Sequence, residues 1–422
     1  MKNDFIRFDM SMPPKKTKWY LRPLIYLLSM PDVIKHKSIL HVYGMENVKP
    51  PYILLCNHNA FMDFKVATKA IHPHTANYIV AMDGFINREN LLRDIGCICK
   101  RKFTNDITLI KQISRGLKLG NVMIIYPEAR YSLCGTTAVL PESLGGLCKM
   151  MKVPVATLIC HGHHINSPFW NLKDRGVKPI EAEFSLLFSQ EDLQKYSTDE
   201  INEKLVKAFQ YDDFAWQKEK HIVINYKKNA EGLHRVLYKC PHCNKEFSMT
   251  SQFTKLICSS CNKSWTLLPT GELTSDDGTT EFSHVPDWYE WERKCVREEI
   301  KNGTYSSGEL KVKVNTLPKD KFYYLGEGTL VHDMNGFRVE GTDVDGDHFE
   351  MIKPPFSMYS CHIEYNYLGK YGDCIDLNTL TDTWYIYPQG TEFAVTKMAL
   401  ATEELYFKYK KDSGKPIHPG LA

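Results

Sequence analysis

Tyr52-Ile53-Leu54-Leu55-Cys56 runs directly into Asn57-His58-Asn59-Ala60-Phe61-Met62-Asp63. Five uncharged, mostly apolar residues read as a buried strand. The Asn-bearing junction after it permits a turn into a helix. Similar apolar runs follow at Tyr78-Ile79-Val80-Ala81, Val122-Met123-Ile124-Ile125-Tyr126 and Val153-Pro154-Val155-Ala156-Thr157-Leu158-Ile159, separated by longer mixed segments. Short buried strands alternating with helix-like stretches predict an α/β domain, a mixed sheet flanked by helices. One connecting helix is well marked: Thr104 or Asn105 can cap its start, and Gly120 suits its C-terminal end before the strand 122–126.

His58 and Asp63 stand five positions apart. On one continuous helix their side chains would diverge by about 140°. They meet only if the chain bends between them, with His58 at the strand's end and Asp63 in the first helical turn. A pair so placed suits acyl transfer. A neutral imidazole can accept a hydroxyl proton near neutral pH, and the carboxylate fixes its tautomer and stabilises the imidazolium. No Ser or Cys nucleophile is required, because the acceptor's own hydroxyl can attack an activated thioester.

Composition narrows the class. The chain has 422 residues, 43% of them hydrophobic, which supports real cores and two or three domains. Lys and Arg number 53 against 50 Asp and Glu. Residues 1–40 hold eight basic residues against three acidic, a local excess larger than the chain's +3. No run approaches the ~18 to 20 apolar residues of a spanning helix, and the start lacks the apolar core of a secretory signal. These features predict a cytoplasmic protein, whose thirteen cysteines are thiols or metal ligands rather than disulfides.

Four blocks in order resemble the glycerolipid acyltransferase family that includes 1-acylglycerol-3-phosphate acyltransferases. They are Asn57-His58-x4-Asp63, Gly96-Cys97-Ile98-Cys99-Lys100-Arg101-Lys102, Tyr126-Pro127-Glu128-Ala129-Arg130-Tyr131-Ser132 and Val153-Pro154-Val155. The resemblance covers residues 35–200. It implies His58 and Asp63 as the catalytic pair, and Lys100, Arg101, Lys102, Glu128 and Arg130 as substrate-binding residues. It also implies an acyl-CoA or acyl-ACP (acyl carrier protein) co-substrate and a lysophospholipid acceptor. The second block is one residue short, so Arg101 or Lys102 can be its basic residue. In the third, Tyr131 stands where the family has Arg, Arg130 falls one place early, and Ala129 replaces Gly. Thr157 stands in place of a proline after the fourth block. Independently of family, Glu128 and Arg130 follow a buried strand, where ligands of α/β folds usually bind, and an Arg fork matches phosphate. A structural Glu–Arg pair is the plainer alternative there, and for Lys100 to Lys102 it is a solvated surface. His161, His163 and His164, with Cys160 nearby, match no metal pattern and read as loop residues in solvent.

The remaining chain divides into further segments. Residues 1–34, with Lys15, Lys16, Lys18 and Arg22 beside Trp19, Tyr20 and Tyr26, read as a basic amphipathic membrane-contact segment. They would hold the protein peripherally on the inner face of the membrane, and a helix packed on the core is the alternative. The acyltransferase domain takes 35–225. Within 226–270, Cys240-Pro241-His242-Cys243 and Cys258-Ser259-Ser260-Cys261 are two C-x2-C knuckles fourteen residues apart, the pattern of a four-cysteine zinc ribbon. The module lacks the dense basic face that nucleic acid would ask for. Residues 271–305 read as a helical linker. Residues 306–422 are mostly β, with hairpin signals at Asn335-Gly336 and Asp345-Gly346 and a closing helix near 391–410. This pattern resembles a pleckstrin-homology-like domain. Asp343-Val344-Asp345-Gly346-Asp347 has its glycine misplaced for a calcium loop and reads as a turn. The leading expectation is an O-acyltransferase of phospholipid biosynthesis. The rivals are an inactive zinc-ribbon scaffold and an acyltransferase with an amine-bearing acceptor.

Overall fold

The structure, a computed structural model, describes residues 5–369 and 371–414. Helix α1 (Leu21–Lys35) leads into strands β1 (Ile39–Tyr43) and β2 (Tyr52–Cys56). There follow α2 (Met62–Ile71), β3 (Ala76–Ala81), α3 (Glu89–Ile95), β4 (Ile98–Lys100), α4 (Ile107–Lys118) and β5 (Val122–Ile125). Then come α5 (Ser143–Met151), β6 (Val155–His161), α6 (His163–Asn166), β7 (Glu181–Phe188), α7 (Gln190–Lys195), α8 (Thr198–Ala208) and α9 (Asp213–Glu219). The seven strands form one mixed sheet in the order β1-β7-β6-β2-β5-β3-β4. Strands β6, β2, β5, β3 and β4 are mutually parallel, and β7 runs antiparallel to β6.

The apolar runs are continuous because both faces of this sheet are covered. Along β2, Tyr52, Leu54 and Cys56 pack on one side with Val66 and Ala67 of α2. Ile53 and Leu55 pack on the other with Ile113 and Leu117 of α4 and Leu144 of α5. The helix start in α4 differs from expectation. Asp106 is the cap, accepting the Thr108 N–H at 2.7 Å, whereas the Thr104 hydroxyl is engaged with the Arg101 carbonyl.

Two further sheets follow. Strands β8 (Met249–Gln252), β9 (Lys255–Cys258), β10 (Ser264–Leu267) and β11 (Leu273–Ser275) make a four-stranded antiparallel sheet. Helix α10 (Val285–Lys301) leads to β12 (Ser306–Thr316), β13 (Tyr323–Asp333), β14 (Gly336–Asp343), β15 (His348–Lys353), β16 (His362–Glu364), β17 (Cys374–Asn378) and β18 (Thr383–Pro388). These strands form an antiparallel sheet in the order β15-β14-β13-β12-β18-β17-β16, which α11 (Val395–Asp412) closes. At the β14–β15 turn the Asp343 carboxylate accepts the N–H groups of Asp345 and Asp347, both at 2.9 Å, so its oxygen serves the hairpin.

Helix α11 joins the three parts. Glu403, with a fully buried side chain, accepts from Arg130 Nη2 at 2.7 Å, Arg293 Nη1 at 2.6 Å and Ser360 Oγ at 2.6 Å. One carboxylate thereby ties the loop after β5 to α10 and to the C-terminal sheet. Truncating it strands the Arg130 guanidinium away from water, while Arg293 keeps Glu290 and Glu404, and breaking such a buried pair costs about 3 to 5 kcal/mol. Glu403→Ala is expected to lose that much in urea unfolding. Lys408→Ala, which removes a solvent-exposed partner of Asp412, is expected to change stability by no more than about 0.5 kcal/mol.

Candidate active site

Five parallel strands bring their carboxyl ends to one edge of the sheet, where α/β folds place ligands. His163 follows β6, His58 follows β2, Glu128 and Arg130 follow β5, Asp83 follows β3, and Lys100 closes β4.

The chain bends sharply after β2. Asn57 stitches the bend to β6, its side chain donating to the Cys160 carbonyl and accepting the Cys160 N–H at 2.9 and 2.8 Å. Asp63 then sits in the first turn of α2, fully buried. Its Oδ2 accepts the backbone N–H groups of Asn59 at 2.6 Å and Ala60 at 3.0 Å, and lies 3.2 Å from His58 Nδ1. Its Oδ1 lies 2.5 Å from Nδ1 of His163. Burial raises the Asp63 carboxyl, but the hydrogen bonds and charges of His163 and His58 outweigh it and hold the group at about 2. Asp63 is therefore an anion clasped between two imidazoles, one facing a cavity and one in the core.

His163 corrects the expectation of a solvated histidine loop. His163 and His164 are fully buried, and only His161 is partly exposed. The turn carrying them is pinned by Asp213 of α9, whose two oxygens accept the N–H groups of Gly162 at 3.0 Å and His164 at 2.8 Å. Gly162 has φ +83°, and a Cβ there would stand 2.8 Å from the Trp216 ring, so the turn needs glycine. Burial among Trp170 and Phe214 lowers His164 to about 3, leaving it neutral.

Glu128 lies beneath the site. It accepts the His58 N–H at 3.1 Å and the Ala138 N–H at 3.0 Å, with the Tyr211 hydroxyl 3.3 Å away. It braces the backbone that carries His58, and burial pushes its carboxyl up to about 8. Ala129 adopts φ +56°, a conformation glycine takes more readily. The Tyr131 and Tyr126 rings flank the His58 ring at centroid distances of 4.4 and 4.3 Å.

A cavity of about 1100 Å³ opens in front of His58. Ile79, Ile107, Ile110, Ile113, Leu144 and Leu147 line an apolar side, and Lys100, Lys102 and Arg130 line a polar one. Arg130 keeps Nε and Nη1 without a protein partner although its residue is 4% exposed. Among the described residues Lys100 makes no ion pair, and burial lowers its pKa. Lys102 lies 3.4 Å from Asp376 and 3.7 Å from Asp83. Arg101 does not line the cavity. It is buried against the C-terminal sheet, donating to Thr383 Oγ1 at 2.8 Å and to the Pro318 carbonyl at 3.2 Å.

The sulfurs of Cys240, Cys243, Cys258 and Cys261 all lie within 4.8 Å of one another, with Cys240–Cys261 and Cys243–Cys258 at 3.8 Å. A tetrahedron with metal–sulfur bonds of about 2.3 Å has edges of about 3.8 Å, so the donor set fits zinc. The two knuckles share one backbone form: Asn244 N–H bonds the Cys240 carbonyl at 2.9 Å, and Asn262 N–H bonds that of Cys258 at 2.8 Å.

Residues 39–161, which carry all the cavity-side residues named in the four blocks, match the family described as Acyltransferase. Among solved structures the chain is similar to the 1-acyl-sn-glycerophosphate (LPA) acyltransferase PlsC from Thermotoga maritima. Identity is 18%, coverage is 45% of this chain and 79% of that one, and the TM-score is 0.34. No curated protein matches the chain.

The Asp63 carboxyl gives a pH signature. Its folded pKa of about 2 lies below an ordinary value of about 3.9, so its stabilisation is present above pH ~4 and lost as pH falls toward ~2. Asp63→Asn is expected to be about 2 to 3 kcal/mol less stable than wild type at pH 7. In urea unfolding that gap should narrow steadily between pH ~4 and ~2.

Proposed function

We propose that the protein transfers a fatty acyl group from an acyl thioester, on coenzyme A or acyl carrier protein, to the hydroxyl of a lysophospholipid such as 1-acylglycerol-3-phosphate. The observation that carries this reading is His58, braced at Nδ1 by the buried Asp63 and opening on a cavity with an apolar wall and cationic groups. His58 Nε2 takes the acceptor's proton as the oxygen attacks the thioester carbonyl. The C–S bond breaks when the tetrahedral intermediate collapses, and the imidazolium returns the proton to the departing thiolate. Backbone N–H groups or a nearby basic side chain would steady the oxyanion. Lys100 and the free nitrogens of Arg130 would hold the acceptor phosphate, and the isoleucine and leucine wall would take the acyl chain. Glu128 and His163 act as positioning residues.

Delivery at a membrane surface supports the same reading. No helix among the described residues is long and apolar enough to cross a membrane. On and beside α1, however, Trp19, Leu24, Leu27, Leu28 and Ile34 are exposed, with Arg22 and Lys35 near them. Helix α1 packs on α2, whose first residues adjoin Phe61 at the cavity rim, 66% exposed. We infer a peripheral position with this face against anionic lipid on the inner, cytoplasmic side. The seven antiparallel strands closed by α11 support a pleckstrin-homology-like reading of the C-terminal part. The four thiolates would hold a structural zinc, which fixes the ribbon and takes no part in the reaction.

Two measurements test this. With lysophosphatidate and an acyl thioester, His58→Ala is expected to release thiol at least about a hundredfold more slowly than wild type. His163→Ala, which frees Asp63 Oδ1, should fall about tenfold to a hundredfold in kcat. Equal turnover by wild type and His58→Ala rejects the assignment, and no turnover by wild type favours the inactive scaffold. For the ribbon, metal analysis should find about one zinc ion per chain, lost in Cys243→Ser together with a lower thermal midpoint.

A further inference from the structure

The polar half of the cavity is not built by the acyltransferase sheet alone. Strand β16 of the C-terminal sheet puts His362 and Glu364 on its wall, facing Asp83 and Lys102. Lys102 is already engaged: its ammonium lies 2.8 Å from His362 Nε2, 3.4 Å from Asp376 and 3.7 Å from Asp83. Among the described residues Glu364 has one ion contact, and it is long. The nearest cationic group paired with it, His362 Nε2, is 3.7 Å away, beyond hydrogen-bond reach. Three carboxyl groups, Asp83, Glu364 and Asp376, thus share one lysine and one imidazole. Burial drives Glu364 up to about 7, against the pull of His362 and Lys102, with Asp83 and Asp376 adding to the rise. This corner of the cavity holds more carboxyl groups than cationic ones.

The adjoining wall shows the reverse. Lys100 makes no close ion pair among the described residues, with Asp106 as the carboxylate that acts on it from a distance, and Arg130, bonded to Glu403 through Nη2, keeps two buried nitrogens unbonded. That region has cationic donors to spare. Tyr131 lines the same cavity, its ring 4.4 Å from the His58 ring. A ligand carrying an anion and a cation on one short head group complements both walls at once.

We propose that the acceptor is a lysophospholipid whose phosphate bears an ammonium-terminated head group, with the ammonium held by Glu364 and Asp83 and the phosphate by Lys100 and Arg130. The proposal rests on the acyl-transfer reading and gives the C-terminal sheet the task of selecting the acceptor. It also decides which atom is acylated. An amine paired with carboxylates stays protonated and has no lone pair to attack a thioester, so the acyl group goes to the glycerol hydroxyl.

The test uses the full-length protein and three dodecanoyl lysolipids below their micelle concentrations: lysophosphatidylethanolamine, lysophosphatidylglycerol and lysophosphatidate. Calorimetric titration of the wild type should show lysophosphatidylethanolamine bound about tenfold tighter than the other two, the scale of one charge-assisted hydrogen bond. In Glu364→Gln and Asp83→Asn that preference should shrink to about twofold or less, with each variant's thermal midpoint recorded to confirm folding. If one variant fails to fold, the other and the wild-type ranking decide. Equal affinity for the three lipids in the wild type, or a preference intact in a folded variant, overturns the proposal. Tighter binding of lysophosphatidylglycerol overturns it as well, since hydroxyls rather than charge would then be read. Acyl transfer to each lipid is followed in parallel. Preference without transfer to any of them sinks the acyl-transfer reading and leaves the head-group site, and transfer without preference does the opposite.

Discussion

A carboxylate sealed from water persists only if its oxygens are supplied with donors or positive charge. Asp63 meets that demand with two backbone N–H groups and two imidazoles. Each donor comes with a structural requirement. The backbone donors require the bend at residues 59 and 60, which aims His58 outward. The core imidazole requires the turn after β6, which Asp213 pins and Gly162 permits. The geometry of the His58–Asp63 pair is thus the same thing as the solution to one desolvation problem. A change in any donor is felt at the ring nitrogen that faces the cavity.

The cavity shows how separate sheets can share one site. Residues at the ends of β2 to β5 supply the floor, and the C-terminal sheet and α11 supply the opposite wall. Such a cavity can separate its tasks: apolar residues of α4 and α5 on one side, cations with unbonded nitrogens near β4 and β5, and an excess of carboxyl groups where β16 approaches Asp83. Paired ions contribute little field at a distance. The groups that act on a ligand are therefore those with bonding capacity left over, and of the basic residues of the second and third blocks Arg101 and Lys102 are not among them.

What was legible in the sequence was mostly local. The apolar runs announced the buried strands because both sheet faces are covered. His58 and Asp63 could be paired because five residues allow only one productive arrangement, a bend. The four cysteines announced their cluster because each knuckle is complete within four positions. The α4 cap was misplaced by one or two residues because Thr104, Asn105 and Asp106 are all cap-forming types. His163 was misread because its partner lies 100 residues away and nothing near it in the chain signals burial. Glu128 and Arg130 follow β5 as the sequence reading has it, with Arg130 on the cavity wall, but their principal bonds go to a backbone N–H across the bend and to α11. Arg101 and Lys102 were adjacent and chemically alike. Only their opposite orientations, one into the C-terminal sheet and one toward the cavity, tell them apart.

The bond from Arg130 to Glu403 spans 273 positions of chain. At a synthesis rate of about 5 to 20 residues per second, the arginine is made roughly 14 to 55 s before its partner exists. During that interval the nascent N-terminal sheet has an apolar hollow without its far wall and a guanidinium without its counter-ion. The N-terminal half can assemble its strands early, but the hollow becomes a closed chamber only when the last helix docks. In a growing chain, the far wall of the cavity is therefore withheld until residue 403 and its helix have been made.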